Sequence, residues 1–397
     1  MKTRHLVPMV LAALALAACD AAEPAAPADL LRTPVPVASA LSPVPGVEEV
    51  VGESGPGSTY ALLKPANWNG ELVVYAHGYV QPHLEPSLVM EIGAIRDWLL
   101  SQGFAFAHAG GSETGYAVKD GVLWTHQLSG LFDEAFGEPT RTYLVGVSLG
   151  GLVVEHMAER FRSQYDGTLA LCGVMAGGAW NAAYIAHFRV LFDYFYPGVL
   201  PGTLLAMPEG ARIEPGSPLF FAVLGAISAN PYPAIEMAAM DQIQLRYTSI
   251  TELVTAFIQV LGYQVNGANA LTDRVNGKSF FDNTTVRYSG SRDDDAVNAA
   301  VARYEGDPSA ENYFDHWWNP AGRIGAPFVT LHTTRDPLVP ERSEQIFAET
   351  VAAAGNAGLL LQRTTDAFGH CAFTGPDIIG AFLALRQWVA TGSRPPA

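Results

Sequence analysis

The chain reads as an α/β protein whose central sheet is mostly parallel and flanked by helices. Three observations predict this. Apolar runs suited to buried strands alternate with helical periods from residue 72 to residue 174. At Ser148 a strand, a tight turn and a helix meet within ten residues. After residue 180 the alternation stops for roughly 140 residues, too long for a loop, and then resumes to the end of the chain.

In chain order, residues 48–52 and 59–64 predict a first pair of strands joined by Gly55-Pro-Gly57. Leu72 to Ala76 is a continuous apolar run, hence a strand buried on both faces, and it leads straight into His77-Gly78-Tyr79. Helices are expected over 89–100 and 122–136, with a strand at 103–107 between them. Thr142 to Val145 predicts the next strand. Gly146-Val147-Ser148-Leu149-Gly150 follows, and Leu152, Val153, His156, Met157 and Phe161 then recur at helical spacing. A strand is expected at 169–174. The order β-α-β-α-β predicts parallel pairing with right-handed crossovers.

The long segment after it predicts helices at 188–196, 220–229, 235–240 and 250–260. It is rich in aromatic residues, and it reads as a largely helical cap over the sheet edge, residues 181–323, between core parts 46–180 and 324–397. Tyr194-Phe195-Tyr196, Tyr313-Phe314 and Trp317-Trp318 are candidates to line an acyl or aryl pocket, while any single one of them is expected first in the core of that cap. Strands at 326–331 and 359–363 and helices at 341–354 and 378–389 complete the core.

The formal net charge of −16 argues against nucleic acid and against an anionic membrane surface as partners. Residues 1–18 read as an export signal: Lys2 and Arg4 precede an apolar stretch too short to span a bilayer comfortably. Small residues before Cys19 resemble the bacterial lipobox, which implies a lipid on Cys19 and a protein facing the periplasm or cell exterior. The lipid anchor is then the expected membrane contact. Removing residues 1–18 takes Lys2 and Arg4 with it and leaves a charge of −18. Residues 19–45, rich in Ala and Pro, read as a tether.

A serine hydroxyl needs a base within hydrogen-bond reach to act as a nucleophile. Ser148, Asp336 and His370 each follow a predicted strand and stand in the chain order serine, acid, histidine. His370 is the candidate base. Asp336 is the candidate for fixing its tautomer, with Asp366 as the competing acid. His77 and His332 also lie at strand ends, but only His370 has the chain position of the base.

Gly146 to Gly150, the turn Arg335-Asp336-Pro337-Leu338-Val339-Pro340 and Gly369-His370 together resemble the α/β-hydrolase superfamily, over about residues 46–180 and 324–392. The resemblance implies the α/β-hydrolase fold and a serine-hydrolase mechanism through an acyl-enzyme. It implies an oxyanion hole made by the N–H of Leu149 and an N–H from the loop after residue 76, assigned here to Tyr79. The leading expectation is a carboxylic-ester hydrolase acting on small-molecule esters, with no cofactor and no metal. A peptidase or acyl-peptide hydrolase with the same residues is the alternative, and a binding lipoprotein on an inactive scaffold is the reading from another class. Gly369-His370-Cys371 is similar to the ending in tannase and feruloyl-esterase enzymes, where that cysteine bridges to one beside the serine. Here Val147 precedes Ser148, so the pattern is half met.

With Cys19 lipidated, Cys172 and Cys371 are the remaining cysteines. In an oxidising compartment a disulfide between them is expected, since the fold sets both along one edge of the sheet. Ser291-Arg-Asp-Asp-Asp295 reads as a solvated acidic turn.

Overall fold

A computed structural model describes residues 44–55 and 57–396. The expected signal, Cys19 and nearly all of the tether fall outside the described residues. Strands β1 (Val47–Gly55) and β2 (Ser58–Pro65) form an antiparallel pair. The alternating part follows as β3 (Glu71–Ala76), α1 (Gly93–Ser101), β4 (Ala105–Ala109), α2 (Val118–Phe136), β5 (Arg141–Val147), α3 (Leu149–Arg160) and β6 (Gly167–Leu171). Six helices come next: α4 (Gly178–Phe195), α5 (Pro218–Ala229), α6 (Tyr232–Ala239), α7 (Ile250–Arg274), α8 (Asp294–Ala300) and α9 (Pro308–Trp317). The chain closes with β7 (Phe328–Arg335), α10 (Arg342–Ala353), β8 (Leu360–Phe368) and α11 (Gly375–Thr391).

The eight strands make one sheet in the order β1-β2-β4-β3-β5-β6-β7-β8. From β4 to β8 every pairing is parallel; β1 and β2 are added antiparallel at one edge. The period-2 rule shows directly in the two faces. Leu72 and Val74 point into the core shared with α2, α3 and the inserted helices. Val73 and Tyr75 point into the core shared with α1 and α11. Both faces are covered, which is why the middle strands read as unbroken apolar runs.

The strands fall where the sequence predicts them, within a few residues. The helices differ more. Helix α1 begins at Gly93 rather than Val89; just before it, Glu91 accepts from Gly78 N–H and from the Tyr75 hydroxyl. Helix α4 starts ten residues before the expected 188, and α7 runs to Arg274 rather than stopping at 260. Two short helices, α8 and α9, were not expected; both start at an aspartate, Asp293 and Asp307, whose side chain accepts a backbone N–H of the first turn.

Candidate active site

Ser148 joins β5 to α3 with φ 54° and ψ −119°, a conformation that a residue with a Cβ adopts only when its surroundings enforce it. The flanking glycines are required by close approach. A Cβ on Gly146 would lie 2.1 Å from the Gly150 carbonyl oxygen, and one on Gly150 would lie 2.2 Å from that of Ala76. Ser148 N–H donates to Leu171 O at 2.8 Å, tying the turn to β6. Its side chain is thereby presented at the C-terminal edge of the sheet.

The structure brings the three predicted residues together. Ser148 Oγ lies 2.7 Å from His370 Nε2, and His370 Nδ1 lies 2.6 Å from Asp336 Oδ2. A carboxylate only accepts, so Nδ1 carries the proton and Nε2 is left to accept from the serine. Asp336 follows β7 and is 5% exposed; its other oxygen, Oδ1, accepts from the N–H groups of Leu338 and Val339 at 2.9 and 3.0 Å. Burial alone would raise this carboxyl. The neighbouring His370 ring, the buried His332 and the Val339 N–H outweigh it and hold the group below the usual carboxylate range.

Asp366 does not reach His370. It is exposed and takes Arg335 Nη1 at 2.7 Å and Thr334 Oγ1 at 2.9 Å. The His370 loop is fastened instead by Thr333 Oγ1, which donates to Gly369 O at 2.7 Å, and by a disulfide. Cys371 is bonded to Cys172, one residue beyond β6, with their Cα atoms 5.2 Å apart.

The loop after β3 packs on the turn at Ser148: a Cβ on Gly78 would sit 3.3 Å from the Cβ of Ser148. Gly78 N–H donates to Glu91 Oε1 at 2.8 Å, and the other Glu91 oxygen takes the Tyr75 hydroxyl. His77 Nδ1 bonds to Gly78 O at 2.7 Å. These bonds fix the loop before Tyr79, and Gly115 N–H donating to Val80 O at 2.8 Å fixes it after; the N–H of Tyr79 itself has no protein acceptor among the described residues. Leu149 opens α3, so its N–H has no intrahelical acceptor either. Glu91 was missed by the sequence reading; a lone glutamate ahead of a helix carries no motif.

The inserted helices pack on this edge. From α4, Asn181 Nδ2 donates to Leu338 O at 3.0 Å and Tyr184 Oη to Pro337 O at 2.8 Å, clamping the turn that carries Asp336. From α7, Tyr263 meets the Tyr79 ring at 5.3 Å, and Tyr79 meets Tyr116 at 5.1 Å. Tyr116 stacks on Trp318, so one member of the predicted Trp317-Trp318 pair connects to the site through a chain of rings. Burial first, and then the neighbouring phenols, push the Tyr79 hydroxyl up. Tyr196 belongs to the insertion's core, its hydroxyl bonding Asn230 O and Ala234 N–H. A cleft of about 140 Å³ opens beside Asp336, between Trp180, Tyr184 and Arg246 on one side and Thr334, Pro340 and Glu341 on the other.

Away from this edge, Glu155, His156 and Glu159 on α3 bring their ligand atoms within 4.8 Å of one another. Glu159 is engaged by the N–H groups of Ala321 and Arg323. Burial, then the Glu159 carboxylate, raise the fully buried Glu155 well above its ordinary range. The acidic turn at 291–295 caps α8: Asp294 Oδ1 accepts from Ser291, and Asp293 from Ala296.

No family model matches the chain. An o-phthalyl amidase of Xanthobacter agilis is 22% identical over 418 residues, which cover 87% of this chain and 88% of the amidase. Among solved structures, an esterase from Aspergillus oryzae is 14% identical, with a TM-score of 0.45 over 88% of this chain and 81% of the esterase. Feruloyl esterase B from the same organism is 15% identical, with a TM-score of 0.44 over 91% and 87%.

Proposed function

We propose, from the α/β-hydrolase fold of this chain and the Ser148–His370–Asp336 relay at its sheet edge, that it is a serine hydrolase cleaving carboxylic esters through an acyl-enzyme. The observation that carries the reading is the continuous pair of bonds, 2.7 and 2.6 Å, running from Ser148 Oγ through His370 to Asp336. His370 takes the hydroxyl proton as Ser148 attacks the acyl carbon, then returns it to the departing alcohol. Water repeats the cycle and releases the acid. Asp336 stabilises the imidazolium that forms in each half. The N–H groups of Tyr79 and Leu149 are the proposed donors to the oxyanion.

Amide cleavage is the second reading, favoured by the 22% identity to an o-phthalyl amidase along nearly the whole chain. The same relay serves both, with the proton going to an amine instead of an alcohol. The deciding experiment is a panel of p-nitrophenyl acyl esters and aryl-acyl nitroanilides, assayed beside Ser148→Ala. Turnover of esters that falls about 10⁶-fold in the variant supports the proposal. A variant as active as the wild type places the chemistry elsewhere.

We also propose export and lipidation at Cys19, from the basic, apolar and small-residue order of residues 1–19. Radioactive palmitate should label the wild type and not Cys19→Ala; equal label on both overturns this.

A further inference from the structure

Asp336 Oδ2 faces two imidazoles. One is His370. The other is His332 of β7, which is 0% exposed and has no part in the proton transfer described above. His332 Nε2 lies 2.8 Å from Val339 O and 3.7 Å from Asp336 Oδ2. A carbonyl only accepts, so Nε2 carries a proton. On the other side of the ring, Nδ1 lies 3.2 Å from Glu344 Oε1 on α10, an ion-pair contact without hydrogen-bond alignment. Glu344 Oε2 accepts from Thr330 Oγ1 at 2.5 Å and from Gln362 Nε2 at 2.7 Å, which leaves Oε1 as the oxygen facing the ring. A bare nitrogen lone pair against a bare carboxylate oxygen would set two acceptors together in a buried site, so one proton lies between Nδ1 and Oε1; held by the ring, it makes an imidazolium–carboxylate pair.

The groups around His332 agree with a charged ring. Asp336 comes from the turn after β7 and Glu344 from α10. Tyr184 of α4 is bonded to Pro337 O, Tyr263 of α7 stands within electrostatic reach of Asp336, and His370 comes from the β8–α11 loop. Burial pulls the His332 ring down; Glu344, Asp336 and Val339 O outweigh it and push it up to about 9.

We propose that His332, held by Glu344, is a positioning residue that keeps Asp336 ionised and sets the acid limit of the reaction. Its effect on rate rests on the serine-hydrolase reading; its charge does not. The imidazolium stabilises the Asp336 carboxylate and also tempers the pull of Asp336 on a proton at His370. Without it, both Asp336 and His370 bind protons more tightly, and the base is lost at a higher pH.

Two measurements test this. In ¹⁵N-histidine NMR, His332 should carry two N–H protons at pH 7 and lose one near pH 9, and Glu344→Gln should lower that transition by a unit or more. A ring with a single N–H at pH 7 overturns the proposal without reference to activity. The second readout is the pH dependence of Ser148 labelling by a fluorophosphonate. In His332→Gln the acid limb should move up by at least about half a pH unit, roughly threefold in rate on the acid side. A variant that loses stability while its limb stays in place shows a structural role only and also overturns the proposal. If the wild type does not react with the fluorophosphonate, the hydrolase reading fails while the NMR result still decides the charge of His332. If His332→Gln does not fold, Glu344→Gln carries the NMR test alone.

Discussion

Asp366 lies four residues before His370, yet its carboxylate turns to Arg335, 2.7 Å from Nη1, and leaves the imidazole to an aspartate thirty-four positions upstream. Asp336→Asn should therefore lower kcat by about 10⁴, through the wrong imidazole tautomer. Asp366→Asn should stay within about threefold of the wild type, since it removes an exposed ion pair. Steady-state kinetics on one ester ranks the two; the reverse order would make Asp366 the acid.

Glu91 holds the loop after β3 by accepting from Gly78 N–H and from the Tyr75 hydroxyl. Glu91→Ala should lower kcat by about tenfold or more and leave KM near its wild-type value. Loss of a direct oxyanion donor costs about 10²–10³, and loosening one should cost less. A change in KM alone would show that Glu91 acts on substrate binding instead.

The bridge between Cys172 and Cys371 closes a separation of 199 residues. Replacing both by serine should cost about 2–5 kcal/mol, read as a lower urea midpoint. Reduced wild type should fall by the same amount. Coincident midpoints for oxidised wild type and the double variant would show that the bridge does not stabilise the fold.

Glu155 gives a pH signature of its own. Its carboxyl is raised in the folded protein, by burial first and by Glu159 second, so the folded state holds a proton that the unfolded chain releases. The stability tied to this proton is present at low pH. It falls as pH rises above about 4.3, by up to about 1.4 kcal/mol per unit, until the folded carboxyl itself titrates. Glu155→Gln should match the wild type near pH 4 and exceed it at pH 8 in urea unfolding. A constant difference across that range would mean that Glu155 is ionised in the fold.

The site was legible because each of its three principal residues ends a strand, and strand ends could be found from apolar runs and glycines. The order serine, aspartate, histidine then left one histidine. What was not legible depended on contacts across the chain. Glu91 and Glu344 act through bonds to distant backbone and side-chain groups, and neither sits in a pattern. Helix α7 runs fourteen residues past the expected end at 260, through Gly262, Asn266, Gly267 and Asn269, residues of low helix propensity. In the fold Asn266 and Asn269 serve the backbone of Ile213 and Met207, and a Cβ on Gly267 would come 2.6 Å from the Tyr79 hydroxyl. Those residues are there for packing, which overrides local propensity.

The backbone at Ser148 also bears on how this protein can evolve. A residue with a Cβ at φ 54° and ψ −119° costs the fold about 1–3 kcal/mol, so the position proposed for chemistry is a thermodynamic weak point. Ser148→Gly should unfold at a higher urea concentration than Ser148→Ala, although both lack the hydroxyl. Selection for robustness alone would then drift toward glycine here. A lineage that keeps serine at this turn is giving up stability for the hydroxyl, and descendants freed from that demand should lose the side chain before they lose the fold.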